Sequence, residues 1–154
     1  MFTKVTRLAK IRQKEYTFSR VMNMKGVLLY NISGEKLRKI RVILIRLGLQ
    51  GKIVSEEEFA LPVGQLAGIE DVSPAQALQE DAGETFREEM IVMCSLPSAQ
   101  FSAFLNALRQ NRCTVALKAV LTETNAGWSS LRLHRELAAE HEAMKKTAKS
   151  VHSK

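Results

Sequence analysis

Two short apolar runs, VLLYNI at 27–32 and MIVMCSL at 90–96, constrain this chain more than any other feature. A run with no polar alternation belongs to a strand covered on both faces, as in a sheet layered between helices. Each run leads into a helix signal. Ser33 is an N-cap candidate with Gly34 and Glu35 in the first turn, and Leu37, Ile40, Ile43, Leu44 and Leu47 then form one apolar stripe that ends at Gly48 or Gly51. Behind the second run, Pro97 and Ser98 open a helix carrying Phe101, Phe104, Leu105 and Leu108. A further strand follows each helix, KIV at 52–54 and VALKAVL at 115–121. Sliding residues 28–54 by 64 positions sets Ile32 on Leu96, Leu37 on Phe101, Ile40 on Phe104, Leu44 on Leu108 and Leu49 on Cys113. The match fits a duplicated βαβ unit, although any two βαβ units share such a pattern.

Between the halves, FALPVGQLAGI at 59–69 holds a short helix behind Pro62. The stretch from 70 to 89 is acidic and turn-rich and reads as a solvated loop. The final helix runs from about Ser129 to Lys146, with Leu131, Leu133, His134, Leu137, Ala138, His141 and Met144 on one arc. The expected fold is a small three-layer α/β domain: two βαβ units form a parallel sheet of order 2-1-3-4, with a C-terminal helix packed on it. The alternative is a ferredoxin-like α+β arrangement, in which the second and third strands form a hairpin. The long connection and the unalternated strands favour the parallel sheet.

The 154 residues suit one domain, read as 25–146 between a basic extension at 1–24 and a basic tail at 147–154. The formal charge of +7 resides in those ends. Residues 1–25 hold seven Lys/Arg against one Glu, and 141–154 hold four Lys against one Glu, whereas 26–140 hold twelve Lys/Arg against fourteen Asp/Glu. Such ends suit solvated termini, or association with nucleic acid or the ribosome through residues 1–25 and 145–154. No apolar run reaches the roughly 18 residues of a membrane span, and no signal-peptide core is present, so a cytoplasmic protein is expected. Cys94 and Cys113 form no CxxC pair and read as buried thiols.

In a parallel sheet, the carboxyl ends of the first, third and fourth strands share one edge, where open α/β sheets bind ligands. The residues delivered there are Asn31 and Ser33, Cys94 and Ser95, and Thr122, Thr124 and Asn125. Helix starts at Ser33 and Ser98 would favour an anion at the same place. Lys118 is the one charge within the fourth strand. Buried, it needs a carboxylate or a shifted pKa; on an edge strand it simply deters aggregation, which is the plainer reading. Thr122, Thr124 and Asn125 suit ligand contacts and turn caps alike, and Trp128 suits a core anchor.

The segments YNISGEKLRKI, LPVGQLAGI, EEMIVMCSL and LKAVLTETNAGW, followed by a helix containing HRELAAEHEAM, resemble the bacterial domain of unknown function 3783 between about Lys25 and Met144. Pro97 stands where the resemblance calls for a Ser cap, and the long basic start is foreign to the family. The resemblance implies a bacterial, cytosolic, small α/β protein without an assigned activity, and it directs attention to residues 117–128.

His134 and His141 lie two helical turns apart, about 10.5 Å, too far to share a metal. No cofactor or metal ligand set is legible, and GLQGK at 48–52 lacks the spacing and the Ser/Thr of a P-loop. The leading expectation is a non-enzymatic module that binds a small anionic ligand or a protein partner in the strand-end crevice. The alternatives are nucleic-acid binding through the tails and an enzyme using Cys94 as nucleophile with His134 as base.

Overall fold

The computed structural model describes residues 24–69 and 84–152. Strands β1 (Gly26–Tyr30), β2 (Gln50–Val54), β3 (Met90–Cys94) and β4 (Leu117–Val120) form one four-stranded sheet in the order β2-β1-β3-β4. Helices α1 (Gly34–Leu47), α2 (Val63–Leu66), α3 (Ser98–Gln110) and α4 (Ser130–His152) connect and cover it, with a 3-10 turn at Glu56–Glu58. The two all-apolar runs become the two central strands, and every residue of β1 and β3 is buried. Fully covered strands need no polar alternation.

The fold is three-layered α/β, as expected, and the strand order is the expected one. The sheet is mixed rather than parallel, however. β1 pairs with β2 and β3 with β4 in parallel, but β1 and β3 run antiparallel, with Leu28 opposite Val92. The ferredoxin-like alternative also fails, because β2 and β3 are not neighbours. The reason is plain in the sequence signal: an unalternated apolar run reports burial on both faces and nothing about direction. A central strand is equally buried whichever way it points.

Antiparallel pairing about Leu28 and Val92 gives the two βαβ units a local twofold relation, and the 64-residue offset is its trace. Gly26–Tyr30 maps exactly onto Met90–Cys94. Asn31 and Ser95, at the exits of those strands, both take positive φ, 59° and 56°. Gly48 and Arg112, after α1 and α3, do likewise at 69° and 54°. Each helix then closes with the same bond, Leu49 N–H to the Leu44 carbonyl at 2.8 Å and Cys113 N–H to the Leu108 carbonyl at 3.0 Å. The correspondence breaks after Cys113: Gln50 answers to Thr114, yet β4 begins only at Leu117.

The relation places α1 and α3 side by side on one face. Val27, Leu29, Ile91 and Met93 meet Ile40, Ile43, Leu44, Phe104 and Leu108 there. The alternate residues Leu28, Tyr30, Met90, Val92 and Cys94 face the other layer, built from Phe59, Val63, Leu66, Phe86, Leu131 and Leu133. Met24, placed in the extension by the sequence reading, is buried in this second core. The remainder of that extension, the middle of the acidic connection at 70–83 and the last two residues lie outside the described residues. Helix α4 runs to His152, beyond the expected end at Lys146.

Candidate functional site

Reversal of β3 divides the expected crevice. The carboxyl ends of β1 and β2 lie at one edge of the sheet and those of β3 and β4 at the other. Asn31 and Ser33 are therefore at the opposite end from Cys94, Ser95, Thr122, Thr124 and Asn125, separated by five-residue strands about 16 Å long. The helix starts after Ser33 and Pro97 are likewise at opposite ends. No single pocket collects the eight residues.

Each half of the set has local work. Asn31 tolerates its left-handed backbone as few residues do, and its Nδ2 donates to the carbonyls of Phe86 and Glu88 at 3.0 and 3.1 Å, tying the approach to β3 onto the end of β1. Ser33 caps α1 through its extended backbone without a side-chain bond. Thr122 and Asn125 lock each other: Thr122 N–H donates to Asn125 Oδ1 at 2.9 Å, and Asn125 N–H to Thr122 Oγ1 at 3.2 Å. Asn125 Nδ2 also donates to the Val120 carbonyl at 3.0 Å. That is a turn built from its own side chains. Thr124 is exposed at its tip, and Ser95 is half-buried with a positive φ.

Cys94 is wholly buried, and burial pushes its thiol up to about 12. It is thus a poor nucleophile at neutral pH. Its proposed partner sits elsewhere. His134 stacks on Phe86 with ring centroids 4.0 Å apart and bonds Glu88, just before the opposite end of β3. Phe86 stacks in turn on Phe59 at 4.5 Å. Lys118 is half-buried on the edge strand β4 and donates to the Val115 carbonyl. Burial first and the nearby Arg109 second hold its pKa below the usual lysine value. The edge reading of this residue therefore fits.

Two features escaped the sequence reading. Tyr30, fully buried in β1, bonds Ser130 at the start of α4, with oxygens 2.7 Å apart across 100 residues. The signal was there: a tyrosine in a buried strand needs a partner for its hydroxyl. The segment 84–89, read as solvated loop, is fastened by His134–Glu88, by Lys36–Glu89 at 2.6 Å and by Arg135–Glu84 at 3.4 Å. Among the described residues, no group of three or more His, Cys, Asp or Glu could hold a metal. No described helix is long and apolar enough to cross a membrane.

What the fold does concentrate is charge. The elements α1, α3 and the loop to residue 116 carry Lys36, Arg38, Lys39, Arg41, Arg46, Arg109 and Arg112, with Glu35 as their one acidic residue. Lys118 joins them, because its register partner Ile91 faces this side. Glu89 pairs with Lys36 at the margin of this layer. The opposite layer bears Glu at 56, 57, 58, 84, 88, 136, 140 and 142, interspersed with Lys52, Arg132, Arg135, Lys145 and Lys146. Lys36 and Lys39 reach toward α3, donating to the carbonyls of Thr114 and Asn111 at 3.2 and 3.3 Å. Helical spacing then turns Arg38, Arg41 and Ile45 to the far flank of α1, above β2. Ile45 is 77% exposed and Val42 43%, while Ile53 of β2, on the same side of the sheet as Leu29, is 46% exposed.

Comparison with known proteins places one segment. Residues 89–144 match the family described as Domain of unknown function (DUF3783), whereas the sequence resemblance had also taken in residues from Lys25 onward. Neither the curated proteins nor the solved structures gave a match. The segment of β3, α3, β4 and most of α4 is thus the part of the chain that is similar to the domain of unknown function family DUF3783.

Proposed function

We propose that this domain is a binding module for an acidic protein partner, engaged through the outer side of α1 rather than through a strand-end crevice. The carrying observation is the interleaving of Arg38 and Arg41 with the exposed aliphatics Val42 and Ile45 on one helix. Arginine with aliphatic neighbours suits a protein interface, where the apolar groups are buried and the guanidinium groups meet carboxylates. A phosphate backbone would use the charges but offer nothing to Val42 and Ile45. The small-ligand reading loses its support with the division of Asn31 and Ser33 from Thr122 to Asn125.

Peptide display against the full-length chain tests this. Selected sequences should be rich in Glu and Asp with interspersed Val, Ile or Leu, and Arg41→Glu should abolish their binding. Selection of basic sequences, or acidic ones indifferent to Arg41→Glu, refutes it. Tight, Arg41-dependent capture of duplex DNA in place of such peptides would transfer the face to a nucleic acid.

A further inference from the structure

The two edges of the sheet are not treated alike. β4 is four residues long, carries Lys118 and ends in the closed Thr122–Asn125 turn. These are the means by which proteins blunt an edge against pairing. β2 has none of them on its outer side. The Gln50 N–H donates to the Lys25 carbonyl at 3.0 Å, so by alternation along the strand Gln50, Lys52 and Val54 direct their backbone groups to β1. Gly51 and Ile53 then direct theirs outward. The one charge of this strand, Lys52, is turned to the other face of the sheet and tied to Glu58 at 3.1 Å. The outer edge is therefore an uncharged pair of residues presenting two N–H and two C=O groups, beside the exposed side chains of Ile53 and Ile45.

We infer that β2 is a docking edge, and that an acidic partner is held by adding an extended segment to it as a fifth strand. This rests on the reading of α1 as an acid-binding surface and specifies how the partner is held there. A strand laid about 4.8 Å beyond β2 gains main-chain bonds from Gly51 and Ile53. Its side chains alternate between faces, so every second one points to the α1 side, where aliphatic residues meet Ile53 and Ile45 and carboxylates meet Arg38 and Arg41. A second copy of this chain is a poor occupant, since pairing β2 with β2 would bring two sets of these arginines together.

The probe is a fluorescent peptide Glu-Thr-Val-Thr-Glu-Thr-Val (the Glu-Val peptide), whose Glu and Val residues share one face of an added strand, titrated by anisotropy against the full-length chain. Three comparators accompany it: the same peptide with alternate backbone nitrogens methylated, a Lys-Val peptide, and the variants Ile53→Pro and Arg38→Glu/Arg41→Glu. Ile53→Pro removes one outward N–H from an edge strand, where proline is tolerated, and circular dichroism confirms its fold. The Glu-Val peptide should bind, and methylation in the matching frame and Ile53→Pro should each weaken it at least about tenfold, as expected for lost ladder bonds. The arginine reversals should weaken it as strongly, and the Lys-Val peptide should not bind. Equal binding of methylated and unmethylated peptides, or by Ile53→Pro, overturns strand addition while leaving the acid-binding face in place. Indifference to the arginine reversals overturns that face itself. Failure of the Glu-Val peptide to exceed the Lys-Val control, or self-association abolished by Ile53→Pro, also overturns the inference.

Discussion

The bond between Tyr30 and Ser130 joins the second core across the chain, and its deletion has a calculable cost. Both side chains are 0% exposed and their oxygens are 2.7 Å apart. Tyr30→Phe strands the Ser130 hydroxyl in an apolar layer, and Ser130→Ala strands the phenol; each should cost about 1–3 kcal/mol. At this chain length a kcal/mol corresponds to about 2–4 °C in Tm. The double variant removes both polar atoms, so its cost should fall short of the two single costs combined by about 1–2 kcal/mol. The same pair shapes the alkaline response. Burial, only partly opposed by the Ser130 bond, holds the phenol well above its ordinary value of about 10. Below that pH both states keep the proton. Above it the unfolded chain releases a proton that the folded chain retains, so stability falls with rising pH, by up to about 1.4 kcal/mol per unit. Tyr30→Phe should flatten that limb. Urea unfolding of the four proteins at pH 7 and between pH 9.5 and 11 measures both effects. Additive single costs, or an alkaline slope unchanged by Tyr30→Phe, would refute the account of this bond.

Other consequences are as direct. Burial raises the Cys94 thiol from an ordinary value of 9.0 to about 12, so the folded state loses stability as pH rises from about 9 toward 12. Cys94→Ala should lessen that loss, and iodoacetamide at pH 8 should modify Cys94 only at the rate of global unfolding. In Gly26→Ala the new Cβ would lie 1.9 Å from the Gln50 carbonyl oxygen, so β1 and β2 must part. We expect a loss of about 3 kcal/mol or more, read as a lowered urea midpoint. Asn125→Ala removes the two side-chain bonds of the turn after β4, leaving the backbone N–H of residue 125 on Thr122 Oγ1, and should cost about 1–3 kcal/mol, without selectively changing the response to anionic metabolites in a thermal-shift screen. A metabolite that stabilises the wild type and not this variant would restore a ligand role to the turn.

The elements themselves were legible because burial leaves a local mark. VLLYNI and MIVMCSL announce central strands, the stripe from Leu37 to Leu47 announces α1, and the paired positive-φ sites at Asn31 and Ser95 stand where each apolar run gives way to a helix. Even the offset that relates the halves could be read from residues 32 to 49 alone. His134 shows the limit. Its place on the apolar arc of α4 was evident, but its bond to Glu88 and its stack on Phe86 bring together residues about 50 positions apart, within a segment whose composition reads as solvent-exposed.

Strand direction belongs to the same class, and the candidate site turned on it. Periodicity records how much of a residue is covered; a run buried on both faces looks the same pointing up or down. Direction goes with α1 and α3 packing together on one face. The sequence by itself determined the strands and the helices, and it favoured the strand order and the three layers that the structure shows. Only the tertiary structure decided that β3 runs against β1, which separated Asn31 and Ser33 from Thr122, Thr124 and Asn125. The same packing gathered the cations of α1 and α3 onto one side, because two helices related by a twofold axis normal to the sheet must share a face.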